Sequence, residues 1–165
     1  MTRPSTYFQV TQGFTLLEVI LVISIIGVLS GLTYTSYLNF QNPARDTARA
    51  VHGALYQLRA NAAANTQARR MVLTTSGKLE LQSALRCDEP DQSKWTSYGT
   101  VPLPDPSARR PVTLTRDSGS TTPNVIACYN ARGLATVAGT LKVNDPKAAY
   151  TVQVALSGGV KTSAQ

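Results

Sequence analysis

One carboxylate, Glu18, stands in the otherwise uncharged run "GFTLLEVILVISIIGVLSG", residues 13–31. An ionised carboxylate at mid-bilayer costs roughly 2.5–3.5 kcal/mol on insertion scales, so its presence implies a partner that compensates it. Elsewhere, chemistry-bearing residues are sparse. His52 is the only histidine; with no second histidine, no cysteine pair at metal spacing and no Gly-x-Ser-x-Gly, neither a zinc site nor a nucleophilic triad can be assembled. Asp88, Glu89 and Asp91 put three acids in four positions, but they lack the glycine and the distal glutamate of an EF-hand loop and read as a solvated loop. No catalytic residue, metal or cofactor is assigned, and the chain reads as a non-enzyme. Cys87 and Cys128 are the only cysteines. They read as one disulfide if the domain lies outside the cytoplasm, and as two thiols if it does not.

The elements that would hold these residues follow from periodicity. Phe14 to Tyr34 is 21 residues with Glu18 as the sole charge, about 30 Å of helix and one bilayer core. Helices apolar on all sides belong in lipid or in a large core. After Pro43, Ala44, Ala48, Val51, Leu55, Leu58 and Ala62 recur at spacings of 4 and 3, a single apolar face, and the Ala-rich stretch favours helix to about Arg70. The simplest reading is one long N-terminal helix, bent at Pro43, with its first half in lipid. Gly27 and Gly31 form a Gly-x-x-x-Gly pair that permits close helix approach.

Beyond Arg70 the period becomes two. "MVLTTSGKLELQSAL" reads as two strands about a Ser76-Gly77 turn, and "RPVTLTR", "NVIACYN", "GLATVAG", "GTLKVND" and "AAYTVQVALSG" as further short strands. "DEPDQSKWTSYGTVPLPDPSARRP" is Pro-rich and reads as an irregular surface loop. The expected fold is α+β, with a long N-terminal helix packed on antiparallel sheet.

"GFTLLEVILVISIIGVLSG" resembles the class III signal of type IV pilins and type II secretion pseudopilins. More weakly, "LRANAAANTQARRMVLTTSG", "CYNARGLAT" and "VALSGGVKT" are similar to the GspH/FimT branch of minor pilin-like proteins. The resemblance implies a leader at 1–13, a membrane and filament-core half-helix at 14–38, an amphipathic half at 39–70 and a β-rich pilin-like domain at 71–165. It implies that a prepilin peptidase cuts after Gly13 and that Phe14 becomes the N-terminal, N-methylated residue. It implies a single pass of the cytoplasmic (inner) membrane with the globular domain outside the cytoplasm. Other pilin or pseudopilin subunits and an inner-membrane assembly platform are the implied partners, and the filament lies at the cell surface or in the periplasm. Glu18 would pair with the Phe14 amine of a neighbouring subunit and so set register, since either charge buried alone is costly. Thr15-Leu16-Leu17-Glu18 is at the same time a capping box for the helix start.

The formal net charge is +7 at pH 7, which attracts anionic partners without selecting one. The alternative function is a minor pilin that binds DNA during natural transformation. The related DNA-binding proteins carry a C-terminal Gly-Arg-x-Arg loop; the matching positions here are Gly158-Gly159-Val160-Lys161, with one arginine missing and the other a lysine. Lysine contacts phosphate only as a point charge. Arg109, Arg110 and Arg116 are the principal further candidates, with Arg132, Lys142 and Lys147 behind them. Arg45, Arg49, His52, Tyr56 and Arg59 read as a solvated or subunit-facing helix side.

Overall fold

The computed structural model describes residues 14–40, 42–104, 110–117 and 124–165, with backbone only for 32–40. Gly13 and the leader, and Arg109 among the candidate cations, lie outside the described residues. The chain divides into two compact units, Met1–Gln41 and Asn42–Gln165.

The first unit contains α1, Leu16–Phe40. Thr15 caps it: its Oγ1 accepts from the Glu18 amide at 3.2 Å, and its carbonyl accepts from the Glu18 and Val19 amides. Ser24 Oγ donates to the Ile20 carbonyl at 2.8 Å, so its hydroxyl is satisfied within the helix. Among the described residues no helix is long and apolar enough to cross a membrane; the span read from the sequence runs on to Tyr34, past the last described side chain of α1 at Gly31.

The second unit opens with α2, Pro43–Asn65. The expected single helix is thus two. Asn42, with φ −123° and ψ 83°, is not helical, because the residue before a proline is pushed out of the α region. Asn42 then caps the new helix by accepting the Arg45 amide at 3.0 Å, and Pro43 occupies the first turn, where its missing N–H is harmless. The far end also differs from expectation. Thr66 takes a left-handed conformation (φ 50°) and stops the helix before Arg70. Arg69 and Arg70 enter a strand instead, where their backbone groups find partners on both sides.

Among the described residues nine strands follow: β1 Ala68–Leu73, β2 Leu79–Ala84, β3 Thr96–Thr100, β4 Thr113–Asp117, β5 Val125–Tyr129, β6 Ala135–Ala138, β7 Thr140–Asn144, β8 Ala149–Val154 and β9 Val160–Ala164. They form two sheets, ordered β3-β2-β1-β5-β6 and β4-β7-β8-β9, and the described pairings are antiparallel. Gly139 links the sheets. A Cβ there would lie 2.7 Å from the Ile126 carbonyl oxygen, so the crossing requires glycine. β3 lies inside the segment read as an irregular loop. Its sequence, Thr-Ser-Tyr-Gly-Thr, is a mostly exposed edge strand and carries no apolar alternation to announce it.

α2 packs on β1 and β5 of one sheet and on β7, β8 and β9 of the other. Ala44, Ala48, Val51, Leu55, Leu58 and Ala62, the stripe read from the sequence, are all at most 1% exposed, and Thr47 joins them. They meet Met71, Leu79, Ile126, Tyr129, Leu141, Val143 and Val152 in one core. At about 1.5–3 kcal/mol for each fully buried large apolar side chain, this contact is what holds the helix. A second, smaller cluster lies on the opposite face of the five-stranded sheet: Ala68, Ala84, Trp95, Val125 and Cys128, with Val72, Cys87 and Val137 at its margin. Covered on both faces, β5 is buried at every position.

Candidate functional site

From Phe14, just ahead of α1, to Gly31 every residue is exposed, and the large apolar side chains keep between 46% and 83% of their surface open. Contiguous apolar surface of this extent marks contact with lipid or protein. Glu18 is exposed too, and its carboxylate receives no hydrogen bond from a described residue. Its amide is used in the Thr15 cap, but its charge is not. A Cβ built on Gly27 or Gly31 would meet no described atom within 4 Å, so no contact with a described residue requires glycine at either position.

Cys87 and Cys128 are joined in a disulfide, with Cα atoms 6.0 Å apart. The bond fastens the segment after β2 to the buried strand β5. Around it, the three acids of the loop each have a local partner. Asp88 accepts two hydrogen bonds from the Arg86 guanidinium, Glu89 pairs with Lys94 at 3.2 Å, and Asp91 caps the short 3-10 turn Gln92–Lys94 through the Ser93 amide. The Arg86 hydrogen bonds hold the Asp88 carboxyl below the usual carboxylate range, and those from Ser93 do the same for Asp91. Among the described residues no three His, Cys, Asp or Glu side chains converge as metal ligands.

Among the described candidate cations, Lys142 and Lys161 share one face of the four-stranded sheet and Arg116 lies on the other. The loop that was expected to hold Lys161 is Ala155–Gly159, closed by the Ala155 amide donating to the Gly159 carbonyl. Lys161 itself is the second residue of β9, exposed and opposite Gln153. Its strand neighbour Thr162 points the other way, to α2, where its Oγ1 lies 2.9 Å from His52 Nδ1. Arg116 stands opposite Leu141, a core residue, and so lies on the helix-facing side of the sheet, away from Lys161. Lys142 pairs with Asp117 at 3.2 Å. Arg110 donates to Asp145 at 2.8 Å in a nearly buried ion pair.

Three side chains hold the fold through contacts with residues remote in sequence, which the sequence does not announce. Asp145 is one: besides Arg110 it accepts the amides of Lys147, Ala148 and Ala44, the last at the start of α2. Burial pushes its carboxyl up, but these hydrogen bonds prevail and hold it below the usual carboxylate range. Arg59 is the second. Its Nη1 donates to the Gly158 carbonyl at 3.3 Å and its stem lies under Gly133. Gly133 and Gly158 both have positive φ, and a Cβ on Gly158 would lie 2.5 Å from the Gly133 carbonyl oxygen. The turns in "CYNARGLAT" and "VALSGGVKT" are therefore two halves of one contact. The third is Arg70, buried against Trp95.

Residues 10–34 match the prokaryotic N-terminal methylation motif. No curated protein matches the chain in sequence. Among solved structures, it is similar to the minor pseudopilin EpsH from the type 2 secretion system of Vibrio cholerae, with 16% identity and a TM-score of 0.54 over 74% of this chain and 98% of that one. At that identity the likeness is one of fold. The chain therefore carries a prokaryotic N-terminal methylation motif that runs into its apolar first helix, and its fold is similar to that of this pseudopilin.

Proposed function

We propose that this chain is a minor pilin or pseudopilin, a structural subunit that primes, caps or decorates a type IV pilus or type II secretion pseudopilus. The observation that carries the reading is α1 itself: a helix apolar around its whole circumference, its side chains exposed from Leu16 to Leu29, with one carboxylate in its first turn that no described residue pairs. Lipid would cover it before assembly, with the globular unit outside the cytoplasm, and the helices of neighbouring subunits would cover it afterwards. A prepilin peptidase would cut after Gly13, exposing a Phe14 amine for methylation. In the filament that amine and the Glu18 carboxylate of an adjacent subunit would neutralise each other, which makes both tolerable at low dielectric. The open surfaces at Gly27 and Gly31 would let a second helix approach closely.

The test is expression in a cell with the cognate assembly system. Gly13→Leu should leave the full-length precursor in the membrane and out of filaments. Glu18→Ala should insert as well as the parent, or better, and incorporate less when co-expressed with it. Mass spectrometry that finds residues 1–13 retained in assembled filaments would overturn the processing step. Normal incorporation of Glu18→Ala would reduce Glu18 to a helix-start residue.

A further inference from the structure

The chain's one tryptophan lies under the disulfide-tied loop on the outer face of the five-stranded sheet. The Arg70 guanidinium stacks on its ring, 3.7 Å from the centroid, and Arg70 is only 5% exposed. Arg70 Nε donates to Gln82 Oε1 at 2.8 Å and Nη2 donates to Gln92 Oε1. Both acceptors are neutral. Of the five N–H donors of a guanidinium, these bonds occupy two, and no described carboxylate lies within ion-pair distance of Arg70. Burial lowers the Arg70 pKa and the charge of Glu80 raises it in part, yet an arginine keeps its proton at any working pH. A buried cation with no carboxylate in contact is an expensive arrangement.

A cavity of about 300 Å³ opens beside this guanidinium. Its walls include Arg70, Gln92, Pro90, Val125, Val137 and the Cys87–Cys128 bridge. Asp88 and Glu89 also border it, but Arg86 and Lys94 hold them. One cation beside a short aliphatic wall of Pro90, Val125 and Val137, in a cavity otherwise lined by polar groups and the disulfide, matches a single negative charge on a short apolar body. The two acids at the border disfavour a dianion such as phosphate.

We infer that this cavity is a carboxylate-binding site, in which the free N–H donors of Arg70 hold the carboxylate and Pro90, Val125 and Val137 hold an aliphatic stem. The carboxylate comes from a free small acid or from an acidic side chain of another polypeptide; both present the same chemistry. The site stands independently of the filament reading.

Trp95, the sole tryptophan and in contact with Arg70, makes its own fluorescence the reporter. The full-length chain in detergent is titrated with sodium propionate at constant ionic strength, with chloride as the control. A saturable change with a Kd on the order of 1 mM is expected for so small a ligand. Arg70→Gln should weaken it at least about tenfold. Val137→Phe, which fills the cavity from the opposite wall and leaves Arg70 intact, should weaken it as much; this variant decides the matter if Arg70→Gln does not fold. N-acetylglutamate N-methylamide separates the sources: tighter binding than propionate assigns the site to a protein side chain, weaker binding to a free acid. No saturable change, the same change with chloride, equal binding by phosphate, or binding unaltered in Val137→Phe would overturn the inference.

Discussion

Asp145 shows how one side chain can tie together elements far apart in sequence. It receives the α2 amide of Ala44, the guanidinium of Arg110 and the two amides of its own β7–β8 turn. Its turn role was legible, since Asn-Asp-Pro announces a reversal. The contacts with Ala44 and Arg110 were not, because burial of a polar side chain depends on residues remote in sequence. Arg70 escaped notice for the same reason. Next to Arg69 at the end of an Ala-rich helix it reads as a solvated cation, yet it faces the outer cluster of the sheet. The lowered carboxyl pKa of Asp145 has a definite sign: its contribution to stability is present above the ordinary carboxylate pKa, about 3.9, and is lost as pH falls through the lower folded-state value. Asp145→Asn should therefore cost about 2–3 kcal/mol at pH 7, and the gap between the two melting curves should close on acidification below about pH 4. A gap that stays constant down to pH 2 would mean that the charge of Asp145 contributes nothing.

At the scale of elements, legibility followed the strength of the period. The α2 stripe was readable residue by residue, because six apolar positions at 3.6-residue spacing admit one face. The strands β5 to β8 were readable from β-branched runs between turn residues. β3 was not, because an exposed edge strand needs no apolar face, and its pairing with β2 supplies what its sequence does not announce. The loop after β2 is held by different means: a disulfide, a stacked Arg70–Trp95 pair and the Trp95 Nε1 donating to the Glu89 carbonyl at 3.2 Å. The bridge spans a sequence separation of 41, for which chain-entropy arguments give about 4 kcal/mol. Replacing both cysteines by serine should lower stability by about that amount in a denaturant titration and shift Trp95 emission to longer wavelength as the loop loosens. Unchanged emission with reduced stability would show that Arg70 and the small cluster hold the loop unaided.

For the whole molecule, the division into Met1–Gln41 and Asn42–Gln165 separates two physical problems. The second unit has 124 residues (42 through 165) and keeps the described core to itself: the α2 stripe, both sheets and the disulfide all fall within it. A domain of this size buries enough surface to fold alone. No described residue of the first unit belongs to that core, and the described apolar side chains of α1 are exposed. A chain that begins at Asn42 should therefore be a monomer in plain buffer, unfold in one cooperative step, and melt within a few degrees of the full chain in detergent, with the disulfide formed. The full chain should need detergent or lipid to stay dispersed, because about 25 cal/mol for each Å² of exposed apolar surface drives its first helices together in water. Sedimentation and calorimetry on the two chains decide between this picture and its rival. Were the chain from Asn42 to aggregate or melt far below the full chain, α1 would be part of the fold of the globular unit. Its apolar surface would then serve that unit, and the case for lipid and neighbouring subunits as its cover would fail.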